Sequence, residues 1–525
     1  MRRGAGSGWW RVRATAVCVL ALMVVGCTGG PAGSPGSPAP SRSPSLSPSR
    51  SPGRSGAGVQ APRLVLSRCT TRQLKPEPTP GRVVSYSCGT LAVPVDPAKP
   101  GGRTLPMFVV RARMAGQTDR IGSLVFNPGG PGASGAGFAS YLASRLPVDL
   151  LRRFDLVSFD PRGVGRSDPV RCVPSKPKDT TGTHTAANNG YSAALAEAVR
   201  AADSCYAKYG DRLADYNTTA VAHDMELLRQ ALGEPKLTYL GHSYGSLLGA
   251  VYATLYPDRV RAFVLDGAVD PTAGELSNQE DQARGFENAV DRFAADCVRQ
   301  EHCPLGRDPR AFLTQLLAKA KAAPIPDLRD RRPVKASDDT VLDVVTAALY
   351  VRGWWPYLVT ALADADGGDA GGLFALRDSL KGPPDPYDNF DDAFLTIRCV
   401  DKRDRITEAQ ARSALADWPA KYPLFGRGEA LSLLQCQQWK GPQRPLPAVH
   451  AATATPILVV GTRHDPATPY AWAQRLRLIL GNAHLLTWDG DGHTAYPMNP
   501  CINNAVDRYL IDGTVPNPHR TCPAD

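Results

Sequence analysis

The chain has 525 residues, 43% of them apolar and 21% charged, which is too long for one small core and ordinary for a large globular domain carrying an insertion, or for two or three domains. The formal charge of +10 is concentrated at one end: Arg2, Arg3, Arg11, Arg13, Arg42, Arg50 and Arg54 all stand in the first 54 residues, which contain no acid. The remaining charge of about +3 is spread with signs interspersed, so nothing in it argues for nucleic-acid binding.

The first element in chain order is an export signal. A basic stretch, MRRGAGSGWWRVR, precedes the apolar run ATAVCVLALMVVG and then Cys27. Thirteen residues are short for a membrane-spanning helix, which needs about 20. The run closes on VVGC, which resembles the bacterial lipobox, and that resemblance implies lipidation of Cys27 as the first mature residue. Residues 28–58 are built almost wholly of Ser, Pro, Gly and Arg and have nothing to bury, as expected of an extended tether. Anchor and tether together predict a domain held off the extracellular face of a bacterial membrane, or released from it, and working as a monomer. Beyond Cys18 and Cys27 ten cysteines remain: Cys69, Cys88, Cys172, Cys205, Cys297, Cys303, Cys399, Cys436, Cys501 and Cys522. An even number in an exported chain favours disulfides, and joining nearest neighbours gives 69–88, 172–205, 297–303, 399–436 and 501–522. No CxxC or HExxH spacing supports a metal site instead.

From about residue 105, short apolar strands alternate with helical patterns. LPMFVVRA, IGSLVFNPGG and FDLVSFDPRGVGRSDP read as strands, the last two running into glycine-rich or charged loops. TAVAHDMELLRQAL has helical periodicity, LTYLGHSYGSLLGAVYATLYP is strand, tight turn and helix, and RAFVLDGAVDP is a strand with an acidic tip. Residues 271–445 break the rhythm with helical segments such as PRAFLTQLLAKAKAA and GEALSLLQCQQW. TPILVVGTRHDPATP and AHLLTWDGDGHTAY then return to strand plus loop. The pattern predicts an α/β fold with a mostly parallel sheet, and a helical cap over the C-terminal sheet edge where ligands bind in such folds. The expected organisation is signal 1–26, tether 27–58, core 59–270, cap 271–445 and core again 446–525.

The chemistry centres on GHSYG, a G-x-S-x-G turn between the strand KLTYL and a helix, the context of a nucleophile elbow. A serine hydroxyl needs a base to take its proton. His493, in GDGHTAY after the last core strand, suits that role better than His242 beside the nucleophile or His464 in the preceding loop. Asp465, in GTRHDPATP, is placed to hold the imidazole, with Asp489 and Asp491 as the nearest alternatives. The order Ser243, Asp465, His493 is that of α/β-hydrolases. NPGGPGASG follows an early strand, where an oxyanion loop belongs; Gly130 and Tyr244 are the expected N–H donors, with Gly129 the alternative to Gly130. No lysine–serine pair follows, as a phosphate-binding loop would require.

NPGGPGASG, FDPRGVGRSDP, GHSYGS and the pair GTRHDPATP and GDGHT together resemble the tripeptidyl-aminopeptidase-like branch of the α/β-hydrolases, within the prolyl-aminopeptidase group of serine peptidases. CGTLAVPVDP, IRCVD and CINNAVDRYLIDGTVP extend the resemblance to nearly all of residues 69–522. It implies an α/β-hydrolase core with a large helical cap inserted before the last core strands, a Ser243–His493–Asp465 acyl-enzyme mechanism without a cofactor, and peptide substrates with a free N-terminus cut to release tripeptides, dipeptides or single residues. Asp160, Arg162 and Ser167 would then organise the loops beside the site. A free N-terminus calls for an acidic acceptor, for which Asp401 and Asp270 are candidates, and Trp354 and Trp355 are candidates for an apolar pocket. Two competing readings are a secreted esterase or lipase with the same triad, and a surface binding protein on a degenerate hydrolase fold.

Overall fold

A computed structural model describes residues 63–524 apart from 80, 173–185 and 382–384. The expected signal, Cys27 and the tether lie outside the described residues. No helix among the described residues is long and apolar enough to cross a membrane.

Ten strands form one sheet: β1 Ser67–Arg68, β2 Val84–Pro94, β3 Thr104–Met114, β4 Gly122–Asn127, β5 Phe154–Phe159, β6 Leu237–His242, β7 Val260–Asp266, β8 Ile457–His464, β9 Ala483–Asp491 and β10 Arg520–Cys522. Their order is β1-β2-β3-β5-β4-β6-β7-β8-β9-β10. The β1–β2, β2–β3 and β3–β5 pairs are antiparallel, and every pair from β5 to β10 is parallel.

The central strands are buried on both faces and mostly apolar, the expected signature of parallel strands covered by helices. Val125, Val157, Tyr239, Phe263, Leu265 and Val459 point to one face. There they pack with Met225 and Leu228 of the helix Thr218–Ala231 and with Leu248 and Val251 of the helix Tyr244–Leu255. Leu124, Phe126, Leu156, Leu240, Val264 and Val460 alternate to the other face, beneath Leu142 of the helix Gly135–Arg145 and Ile502 and Val506 of the helix Pro500–Asp512.

Among the described residues, eight α-helices between Glu275 and Gln437 lie in the interval from β7 to β8. Five of them, from Glu275–Arg299 to Gly371–Lys381, share a core of their own with Phe286, Phe293, Val341, Leu358 and Phe374. Trp355 lies in that core, 2% exposed and edge-on to Phe293, so it is a packing residue and not a pocket wall; Trp354 packs against the same cluster. Packing runs across the sequence boundary at 271: Ala393, Ile397 and Val400 of the helix Phe390–Asp401 join the core beneath the sheet. The helix Ala186–Tyr209, which comes before the nucleophile strand, packs Ala194 and Ala198 against Trp418, Leu431 and Leu434 of two cap helices. All five disulfides join nearest-neighbour cysteines as expected.

Candidate active site

Strand β6 ends at His242, and Ser243 turns the chain into the helix Tyr244–Leu255. Ser243 holds φ 56°, ψ −125°, a conformation that L-residues disfavour and that persists only where the surroundings fix it. Two glycines make the turn fit. A Cβ at Gly241 would stand 2.2 Å from the Gly245 carbonyl oxygen, and one at Gly245 would stand 2.5 Å from that of Asn127. Ser243 N–H donates to the Asp266 carbonyl at the end of β7, 2.8 Å away.

Asp465 follows β8 and is 4% exposed. Its Oδ1 accepts the backbone N–H groups of Ala467 and Thr468 at 2.9 and 2.8 Å, and its Oδ2 accepts the Thr468 hydroxyl at 3.0 Å. His493 Nδ1 lies 2.9 Å from both oxygens. This fixes Nδ1 as the protonated nitrogen and leaves Nε2 as the ring's acceptor. Burial alone would push the imidazole pKa down, but the Asp465 carboxylate raises it above the ordinary histidine value, with a smaller contribution from Asp266. The cap reaches this base directly. His493 N–H donates to the Tyr350 carbonyl at 2.7 Å, Val351 forms a β-bridge with Gly492, and the Tyr350 ring stands edge-on to the imidazole at 5.1 Å.

The rival acids and bases have other partners. Asp491 is held by Arg292 at 2.7 and 3.0 Å, and Asp489 by Arg463 at 2.5 Å. His242 is mostly buried, edge-on to Phe126, and desolvation pushes its pKa down to about 3, so it is neutral. His464 is also shifted down, by partial burial and then by Arg292.

The glycine-rich loop 127–135 passes the elbow closely: a Cβ on Gly129 would lie 2.5 Å from the His242 carbonyl oxygen and 2.9 Å from Ser243 Cβ. The register between Gly129 and Gly130 is decided by Asn127, whose Oδ1 accepts the Gly129 N–H at 3.0 Å. Gly130 N–H has no partner among the described residues. Tyr244 N–H opens its helix, where no intrahelical carbonyl can reach it. Tyr244 is the residue after Ser243, and Gly130 follows the glycine that packs against Ser243 Cβ, so both N–H groups are candidates to receive a developing oxyanion. Sequence reasoning passed over Asn127, although an amide two residues before the first glycine was a readable signal.

Asp160 braces this loop. It accepts Ser134 Oγ at 2.6 Å, Ala136 N–H at 3.0 Å and Arg166 N–H at 2.9 Å. Arg162 is fully buried in a paired contact with Asp224 and also donates to the Pro94 and Val95 carbonyls, while Ser167 Oγ accepts Phe108 N–H. Asn389 ties the cap to the same region by donating to the Gly163 and Val170 carbonyls, and the neighbouring Phe390 ring lies against Gly130.

Both candidates for the substrate amine have hydrogen-bond partners within the chain. Asp401 accepts both the N–H and the hydroxyl of Thr218, at 3.0 and 2.5 Å, and burial pushes its carboxyl up to about 7. The Thr218 hydroxyl also meets the Tyr244 hydroxyl at 2.5 Å, so Asp401 links the cap to the residue after Ser243. Asp270 accepts Thr272 N–H and Oγ1 at 2.8 and 2.7 Å and faces Arg475 at 3.6 Å.

The family model for the alpha/beta hydrolase fold matches residues 122–500. Over 458 residues the chain is 37% identical to a Mycobacterium tuberculosis protein named Serine protease Hip1, covering 83% of this chain and 87% of that one. It is 35% identical over 458 residues to one named Carboxylesterase B from the same organism, with 83% and 86% covered. It is also 30% identical over 475 residues to a Streptomyces lividans protein named Tripeptidyl aminopeptidase, with 83% of each covered.

Proposed function

The chain belongs to the alpha/beta hydrolase family, and from that premise we propose that it is an exported serine aminopeptidase that cuts peptides near a free N-terminus and releases short fragments, tripeptides foremost. The observation that carries the reading is the Asp465–His493 contact, set beside a strained serine whose neighbouring Gly130 and Tyr244 N–H groups are available.

Ser243 Oγ attacks the scissile carbonyl as His493 Nε2 takes its proton, and the new oxyanion is received by the Gly130 and Tyr244 N–H groups. Asp465 holds the tautomer and stabilises the imidazolium. His493 then protonates the departing amine, and a water activated by the same nitrogen releases the N-terminal fragment from the ester. Losing one oxyanion donor typically removes about 3 kcal/mol of transition-state stabilisation. Five disulfides suit a chain that works in an oxidising compartment, and anchorage through Cys27 would hold it at the outer face of the membrane.

Mass spectrometry of products from paired free and N-acetylated peptides tests the reading. Release of N-terminal tripeptides from the free members alone is expected; equal cleavage of blocked peptides overturns the aminopeptidase assignment. The relative named Carboxylesterase B favours a second reading, an esterase on the same triad. Much faster turnover of simple acyl esters, with no peptide cleavage, would establish that reading instead.

A further inference from the structure

Four successive residues of the base loop are held by two different carboxylates. Asp465 takes His493 Nδ1–H and, at 3.4 Å, the Thr494 N–H. A second acid, Asp266 at the tip of β7, takes the next two: Ala495 N–H lies 3.0 Å from each of its oxygens, and Tyr496 N–H lies 2.7 Å from Oδ2. Between the two grips the chain passes through Thr494 at φ 67°, a left-handed conformation that is costly for a β-branched residue and is kept only when its neighbours over-determine it.

Asp266 grips the other half of the site as well. Its backbone carbonyl accepts Ser243 N–H at 2.8 Å, and in the sheet it pairs with His242, whose Nε2 lies 3.9 Å from Asp266 Oδ2 with no hydrogen-bond partner of its own among the described residues. The next residue, Gly267, passes so close beneath the base that a Cβ there would come within 3.0 Å of His493 Cε1. Asp266 itself is fully buried. Burying a carboxylate is costly unless it is hydrogen-bonded, and here the Ala495 and Tyr496 N–H groups supply those bonds.

We propose that Asp266 is the positioning residue that sets the separation of Ser243 from His493, its carbonyl fixing the nucleophile turn and its carboxylate fixing the base loop. The inference rests on the serine-hydrolase reading, and it assigns Asp266 no contact with substrate. Its charge also acts on the base. Facing Asp266 are His242 from β6, Asp465 after β8 and His493 after β9, and facing His493 are Asp465, Asp266, His242 and the Tyr350 ring. Burial pushes the Asp266 carboxyl up to about 7, so its charge, and its support of the imidazolium, are fully present only above neutrality.

The test compares wild type with Asp266→Asn and Asp266→Glu, using rates of fluorophosphonate labelling at Ser243, kcat and KM on one peptide and one ester substrate, and the pH dependence of kcat/KM. Asn keeps an acceptor for the two N–H groups but removes the charge. It is expected to lower kcat about 10- to 100-fold with KM nearly unchanged, as a small misplacement of reacting groups does, and to move the acid limb to lower pH. Glu keeps the charge and displaces it by one methylene, so kcat should fall while the acid limb stays in place. If one variant is recovered only unfolded, the other decides. Folded variants with wild-type labelling rate, kcat and pH profile overturn the proposal, and so does a loss confined to KM. A wild-type protein that takes no label on Ser243 overturns the hydrolase reading itself, a result distinct from unchanged variants.

Discussion

Asp465→Asn isolates the tautomer argument. In the wild type, Oδ1 accepts two backbone N–H groups, from Ala467 and Thr468, and these compel an asparagine to place its carbonyl oxygen there. The new amide nitrogen then occupies the Oδ2 position, 2.9 Å from His493 Nδ1, where it can only donate. The carbonyl at Oδ1, also 2.9 Å from Nδ1, is already shared by two N–H groups, so Nδ1 accepts from the new amide, the ring proton moves to Nε2, and Nε2 can no longer take the serine proton. The fold should be unaffected, because the Thr468 hydroxyl can reverse and accept where it formerly donated. A wrong-tautomer histidine in such a triad lowers kcat by about 10⁴, equivalent to about 5.4 kcal/mol at 1.36 kcal/mol per decade. The assay is kcat and KM on a chromogenic tripeptide substrate, with thermal melting as the check on folding. A folded variant that keeps more than a tenth of wild-type kcat, or that loses only in KM, would refute Asp465 as the orienting acid.

Three further perturbations probe the same geometry and the scaffold under it. The base acts only when neutral and its pKa is raised, so kcat/KM should fall with acid along a limb centred above the ordinary histidine value of about 6.5; a limb at or below that value would mean that Asp465 does not charge-stabilise His493. Gly129→Ala puts a Cβ 2.5 Å from the His242 carbonyl at φ +100°, and is expected to lower kcat about 100-fold or more by pushing the oxyanion loop off the elbow, whereas unchanged turnover would contradict that close approach. Arg162→Ala leaves Asp224 buried without its partner and should destabilise the fold by about 3–5 kcal/mol in denaturant titration; a change under 1 kcal/mol would mean that Asp224 is not left as an uncompensated charge.

What was legible in the sequence was what is local. Ser243, Asp465 and His493 each follow a short apolar strand, so strand, loop and chemistry could be read from a dozen residues at a time. Gly130 was readable for the same reason, and Asn127 two residues before its partner could have been. The missed features depend on distant chain segments. Asp266 was visible as an acidic strand tip, but nothing in RAFVLDGAVDP announces that residues 495 and 496 will donate to it. Asp401 and Asp270 looked like free acids because a sequence does not show that Thr218 and Thr272 will occupy them. The helix Ala186–Tyr209 carries a weak apolar pattern, and its side in the fold is set by cap residues more than 200 positions later.

The sheet accounts for why a site can span so long an insertion. β7 and β8 are hydrogen-bonded parallel neighbours, with Val264 opposite Leu458, so the chain leaves the C-terminal end of one strand for the cap and returns through the N-terminal end of the strand beside it. Neighbouring strands lie about 4.8 Å apart, and the closure of a long excursion costs little more than that of a short one because the entropy grows only logarithmically with its length. Acid and base therefore keep their places relative to Ser243 whatever the length of the insert. The cap is still no passive cover. Its Tyr350 carbonyl holds the His493 N–H and its Asn389 holds the loop that leads to Arg166 and Asp160, so one cap element braces the base while another braces the oxyanion side. The segments around Tyr350 and Asn389 thus fix catalytic geometry from the cap, and a substitution in either that breaks its contact is expected to lower kcat.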